Sequence, residues 1–200
     1  MGKTHGIVAG VVGLVSFAVV AGAQSAQPPM SNQSMSNQPA QAPSETLSPA
    51  TQAKIMQALN HALIMLPYYG VFDNLVYQLD GRTVILTGQV TNPSLKPDAA
   101  RAVKKVEGVE KVINNIEILP PSPMDQQIRE RVKQAIYGGY GPLFKYSRNP
   151  NPPIRIIVKN ARVTLEGVVD SEGDKNLCTN RVNQISSVLS VTNNLRVVKS

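Results

Sequence analysis

The chain of 200 residues has no tryptophan, one cysteine, two histidines, 4% aromatic residues and 16% charged ones. Each shortage excludes something. A single cysteine permits no intrachain disulfide, and a zinc centre of the usual nitrogen and sulfur ligands has nothing to be built from. His5 falls in an apolar leader, which leaves His61 as the one imidazole in the body of the chain. It lies off the apolar face marked by Leu59, Ala62 and Leu63, the place of a solvated helix residue rather than a general base. Cys178 falls on an inward stripe and reads as a small buried residue rather than a reactive thiol. Asp170, Glu172 and Asp174 alternate near one turn, but they lack the Gly-centred, Glu-terminated spacing of a calcium loop and read as a polar turn. "YGGYG" (137–141) has neither a strand before it nor a Lys-Ser or Lys-Thr after it, so it is not a phosphate cradle. No catalytic constellation, metal site or cofactor site follows from these residues, and the chain reads as a non-enzyme.

One long apolar run is present, from Ile7 to Val20, behind a cationic start at Lys3 and ahead of the small residues Ala21, Gly22 and Ala23. This is the pattern of a secretory signal peptide over residues 1–23. An uncleaved membrane anchor is the alternative, because the run with its small residues reaches the lower edge of a bilayer span. Residues 24–50 are Gln, Ser, Asn, Pro and Ala with Glu45 as the only charge, and so are expected to form a disordered tether. The expected location is the periplasm or another exported compartment, where intracellular nucleic acid is no partner for the net charge of +7.

Self-comparison organises the remainder. A shift of about 79 residues lays "RTVILTGQV" (82–90) on "ARVTLEGVV" (161–169), and "NNIEI" (114–118) on "NNLRV" (193–197). With a shift of about 73, Ile55, Leu59, Ala62 and Leu63 fall on Ile128, Val132, Ala135 and Ile136. Two copies of one module are expected, over residues 51–120 and 121–200. Each opens with an amphipathic helix. Two alternating strands follow, joined by a tight turn at Asp80–Gly81 in copy one and by a weaker signature at Asn160–Ala161 in copy two. A second helix carries Ala99, Val103 and Val106 or Cys178, Val182 and Ile185, and a last strand runs over 112–118 or 191–197. The expected class is α+β: helix, strand, strand, helix, strand, with a three-stranded sheet packed on two helices.

The "VxLxG" strands "VILTG" and "VTLEG", with "VEGVEKVINNIEI" and "ISSVLSVTNNLRV", resemble the BON domain of osmotically inducible periplasmic proteins and related envelope proteins. Copy one keeps Gly108 before Val109, as the family pattern has it, whereas copy two has Ser187 before Val188. The resemblance implies a non-enzymatic envelope module, associated with anionic phospholipid and with osmotic or envelope stress, and brings no catalytic residues.

The two copies differ in charge. Residues 51–120 carry seven Lys and Arg against six Asp and Glu, whereas residues 121–200 carry twelve against six. In copy two Arg129, Lys133 and Tyr137 form an i, i+4, i+8 row where copy one has Met56, Asn60 and Ile64. Seven aromatics fall in the two segments after the first helices: Tyr140 and Phe144, with counterparts in copy one, are expected to pack on the core. Lys145, Tyr146 and Arg148, in an insertion special to copy two, are expected to be exposed. Arg129, Lys133, Tyr137, Lys145, Tyr146 and Arg148 would then make a basic, aromatic face suited to an anionic phospholipid membrane surface. The alternative is a protein-docking or assembly module, binding envelope proteins or itself, through the outer faces of its sheets or the Ile64, Met65 and Leu66 region.

Overall fold

The computed structural model describes residues 47–139, 141–148 and 151–198. The expected signal peptide, nearly all of the expected tether and Tyr140 lie outside the described residues. Copy one begins with helix α1 (Pro49–Ile64), which Ser48 opens by accepting a hydrogen bond from the Thr51 amide, with proline in the first turn. Strands β1 (Asn74–Asp80) and β2 (Thr83–Val90) pair antiparallel, and helix α2 (Leu95–Lys104) leads to β3 (Lys111–Asn114) and β4 (Glu117–Ile118), both parallel to β2. The central strand is therefore β2, with β1 and the β3/β4 line on its two sides. Copy two repeats the plan with α3 (Pro123–Tyr137), a 3-10 helix (Pro142–Arg148), β5 (Ile154–Lys159), β6 (Arg162–Val169), α4 (Glu172–Asn183), β7 (Ser190–Asn193) and β8 (Arg196–Val197). The class is α+β with two repeats, each a sheet lying against two helices.

Alternation sorts the strands. Val84, Leu86 and Val90 turn inward against Leu59, Ala99 and Val103, and Val163, Leu165 and Val169 against Val132, Cys178 and Val182, so each copy has its own core. The glycine of "VxLxG" is a backbone requirement. Gly88 and Gly167 have φ of +111° and +116°, and a Cβ at either would lie 1.9 Å from a carbonyl oxygen, that of Asn74 or Pro153.

Three local features depart from the periodicity. The last strand is broken in both copies by the first asparagine of "NN". Asn114 accepts from the Ile116 amide and donates to the Lys96 carbonyl, and Asn193 does the same with Leu195 and Lys175, tying the break to the second helix. The turn of copy one falls on Gly81–Arg82, one residue later than expected. That of copy two is Asn160–Ala161, both left-handed at φ 52° and 58°, and the Asp125 carboxylate on α3 accepts from both of their amides at 2.9 and 2.8 Å. A tertiary carboxylate thus replaces the missing glycine. Gly108 is left-handed, while Ser187 is not and instead accepts from Arg131.

Candidate functional site

Helix α3 lies along the free edge of β5, and this decides what its polar residues do. Ile154, Ile156 and Val158 face the core, and their backbone groups point away from β6. An edge of this kind must be covered or it pairs with whatever strand it meets. The Arg129 guanidinium donates to the Val158 carbonyl at 2.8 Å, and the Tyr137 hydroxyl to the Ile154 carbonyl at 2.5 Å. Between them the Ile156 amide donates to the carbonyl of Val71, a residue of copy one, at 2.8 Å. The i, i+4, i+8 row therefore runs along a strand edge.

Copy one supplies more than Val71. Phe72 packs against the core of copy two, with the Lys133 ammonium 5.8 Å from its ring centre. Arg155 donates to the Gly70 carbonyl and stacks 4.5 Å from the centre of the Tyr69 ring. Asp73, itself buried, fixes this segment by accepting from the Gly70 amide and from the amide and hydroxyl of Thr91. Lys159 and Glu117 add an ion pair between the copies. The loop of copy one thus completes the open side of copy two.

The six residues expected to form one exposed face are separated by this arrangement. Arg129 is 4% exposed and Tyr146 5%, which corrects the expectation of surface positions for both. The physical reason is that each has buried backbone or carboxylate partners to satisfy. Burial lowers the Arg129 pKa from its ordinary value, a fall opposed by the charges of Asp125 and Asp73. Tyr137 is half-buried, and burial pushes its hydroxyl well up. Tyr146 donates to Asp174 and accepts from the Asp170 amide, both at 2.8 Å, and burial pushes its hydroxyl up to about 12. Lys145 is exposed, yet its ammonium bridges Asp170 at 2.8 Å and Asp174 at 2.9 Å, so its charge is matched within the fold and hydrogen bonds to these carboxylates raise its pKa. Of the six residues, Lys133 and Arg148 are the exposed cations without a close carboxylate clamp, the first loosely paired with Glu130 at 3.7 Å, the second 5.6 Å from the centre of the Phe144 ring. Phe144 is half-buried; the core contribution expected of it comes from Leu143. The bridging ammonium of Lys145 also occupies the space between two of the three alternating acids of the 170–174 turn.

Asp73, Asp125 and Arg155 were not singled out from the sequence. Arg155 had a signal, as the one charge inside the apolar run "IRIIV". The two aspartates had none, because the partners that bury them, Thr91 for Asp73 and the Asn160 and Ala161 amides for Asp125, are brought from distant parts of the chain. Of the region proposed for protein docking, Leu66 packs inward, whereas Ile64 and Met65 are exposed. His61 is exposed and Cys178 buried; burial pushes the thiol up to about 12. Among the described residues no helix is long and apolar enough to cross a membrane.

No curated protein matches the chain. Among solved structures, it is similar to CdsD, a structural protein of the type III secretion system of Chlamydia trachomatis. That likeness has 10% identity and a TM-score of 0.30, over 73% of this chain and 93% of that one. A structure of the CdsD C-terminal domain matches with 10% identity and a TM-score of 0.29, over 72% of this chain and 97% of that one. At such scores the likeness carries no weight for function. The BON domain matches residues 50–120 and again residues 124–199. Its match spans most of the chain and meets both repeats, so the chain belongs to the BON-domain family as a tandem BON-domain protein.

Proposed function

We propose that this protein is a non-enzymatic module of the bacterial envelope, exported after cleavage near residue 23, which attaches peripherally to anionic phospholipid surfaces in envelope maintenance or osmotic stress. The observation that supports the reading is the charge of copy two, twelve Lys and Arg against six Asp and Glu, beside the near-neutral copy one. Membership of a family of phospholipid-binding or envelope-associated modules agrees with it. Of the six residues, Lys133 and Arg148 are the cations with the loosest internal ties and are the first to bind, each contributing about 1 kcal/mol near an anionic surface. Arg129, Tyr137 and Tyr146 hold the fold in place and serve binding only through it.

Cosedimentation with phosphatidylcholine vesicles, with and without phosphatidylglycerol, tests this. Binding should require the anionic lipid and weaken as salt rises. Lys133→Ser with Arg148→Ser should reduce it several-fold with the thermal transition unchanged, since exposed charges contribute little to stability. Equal binding to neutral vesicles, or none to either, would refute the reading.

A further inference from the structure

Residues 47–72, which make α1 and the turn after it, include no Asp or Glu. At the end of that stretch Ile64, Met65 and Tyr68 are 48%, 67% and 79% exposed, so three of the large exposed apolar residues fall within five positions. Scattered exposed apolar residues need no explanation, but a cluster on one turn does. Nor does the fold demand it. The positions matching Ile64 and Met65 in copy two are Tyr137, tucked onto the β5 edge, and Gly138. Tyr68 also holds a left-handed backbone at φ 66°, a conformation that bulky residues rarely adopt.

The turn is a knob on a firm base. Leu66 and Tyr69 pack inward on copy one, Arg155 stacks on Tyr69, and Phe72 sits against the core of copy two. Lys133 lies 5.8 Å from the ring centre of Phe72, four residues beyond the knob in sequence, with Glu130 as its loose partner.

We propose that the turn Ile64–Tyr68 is the membrane anchor of this protein: it enters the interfacial layer of an anionic bilayer, Ile64 and Met65 below the headgroups and Tyr68 among them. The inference rests on the phospholipid reading above and names the surface through which it works. The occupant is a lipid surface rather than a protein because the exposed apolar turn follows a helix that carries Lys54 and no carboxylate, and Phe72 just after it lies beside the Lys133 ammonium, so anionic headgroups meet cations and no like charge from this segment. Tyrosine is at home at the headgroup level.

The absence of tryptophan gives a clean test. In the full chain, Met65→Trp creates a single indole reporter at the knob. With phosphatidylglycerol-containing vesicles its emission should shift to the blue and be quenched by brominated acyl chains, and with pure phosphatidylcholine it should do neither. Ile64→Ser, Met65→Ser and Tyr68→Ser together should lower affinity for the anionic vesicles about tenfold while urea unfolding stays unchanged. If the protein cosediments with anionic vesicles and Trp emission does not respond, the anchor is refuted and the phospholipid reading survives on another face. Loss of cosedimentation altogether refutes both. A blue shift that grows with protein concentration in the absence of vesicles means that a second copy covers the knob, and overturns the proposal.

Discussion

Gly167 is held at φ +116° by the crossing of β6 over the start of β5, and a methyl group there would overlap the Pro153 carbonyl oxygen at 1.9 Å. Neither the backbone conformation nor the contact can relax without parting the two strands. Gly167→Ala should therefore cost roughly 2–4 kcal/mol, read as a lower urea midpoint. Gly81 is a contrast: it is also left-handed, but nothing lies within 4 Å of where its Cβ would be, so only backbone strain opposes substitution. Burial decides the behaviour of Cys178 in the same way. Its thiol is pushed up to about 12 and is enclosed by the copy-two core. A polar thiol reagent at neutral pH should label it only as fast as copy two opens, and rapid labelling of the native protein would contradict this.

At the scale of elements, α3 is the edge guard of β5. Arg129→Met removes the hydrogen bond to the Val158 carbonyl and the buried positive charge that Asp125 and Asp73 favour from a distance. It should destabilise the protein by about 1–3 kcal/mol while vesicle binding of the folded protein changes less than twofold; the reverse result would restore Arg129 as a lipid contact. The 3-10 helix is clamped to α4 by Lys145, Tyr146 and Asp174. Burial alone would raise the Asp174 carboxyl, but hydrogen bonds from Lys145, Tyr146 and Ser171 outweigh it and hold the group below its ordinary value. A depressed carboxyl stabilises the fold above its unfolded value and stops doing so as pH falls through the folded one. Stability should thus drop below about pH 4, and less steeply in Lys145→Met, measured by urea unfolding at stepped pH. Helix, strand and repeat were legible because Val84, Leu86, Gly88 and Val90 recur at a fixed distance with their period intact. The candidate site was legible only in part. An i, i+4, i+8 row gives the side of α3 on which Arg129, Lys133 and Tyr137 lie, but not what else lies there, and what lies there is a strand edge reached by a chain reversal and a loop from the other copy. Tyr146 was misread for a related reason: its partners, Asp174 and the Asp170 amide, follow it by more than twenty residues, beyond any local pattern.

The two BON domains are unequal partners across their shared boundary. Copy one supplies the Val71 carbonyl, which accepts from the Ile156 amide on the β5 edge, Phe72 for the copy-two core and the Tyr69 ring for Arg155, and Asp73 keeps that segment in shape from the copy-one side. Copy two is therefore completed by a neighbour, and its stability must depend on residues that belong, by sequence, to the other repeat. Cys178 makes this measurable, since the only thiol of the protein lies in the core of copy two and becomes reactive when that domain opens. Phe72→Ala should remove about 1–2 kcal/mol from copy two, a half-buried aromatic losing less than a fully buried one, and so raise the rate of Cys178 labelling roughly 5- to 30-fold. The Phe72 variant must be compared with a change of similar cost inside copy one, Val103→Ala, whose side chain belongs to the copy-one core and not to that of copy two. If the domains are independent, neither substitution alters labelling of Cys178. If they are joined as the hydrogen bond from Ile156 to Val71 indicates, Phe72→Ala accelerates it strongly. Val103→Ala then does so only as far as local loosening of copy one reaches the Gly70–Asp73 segment.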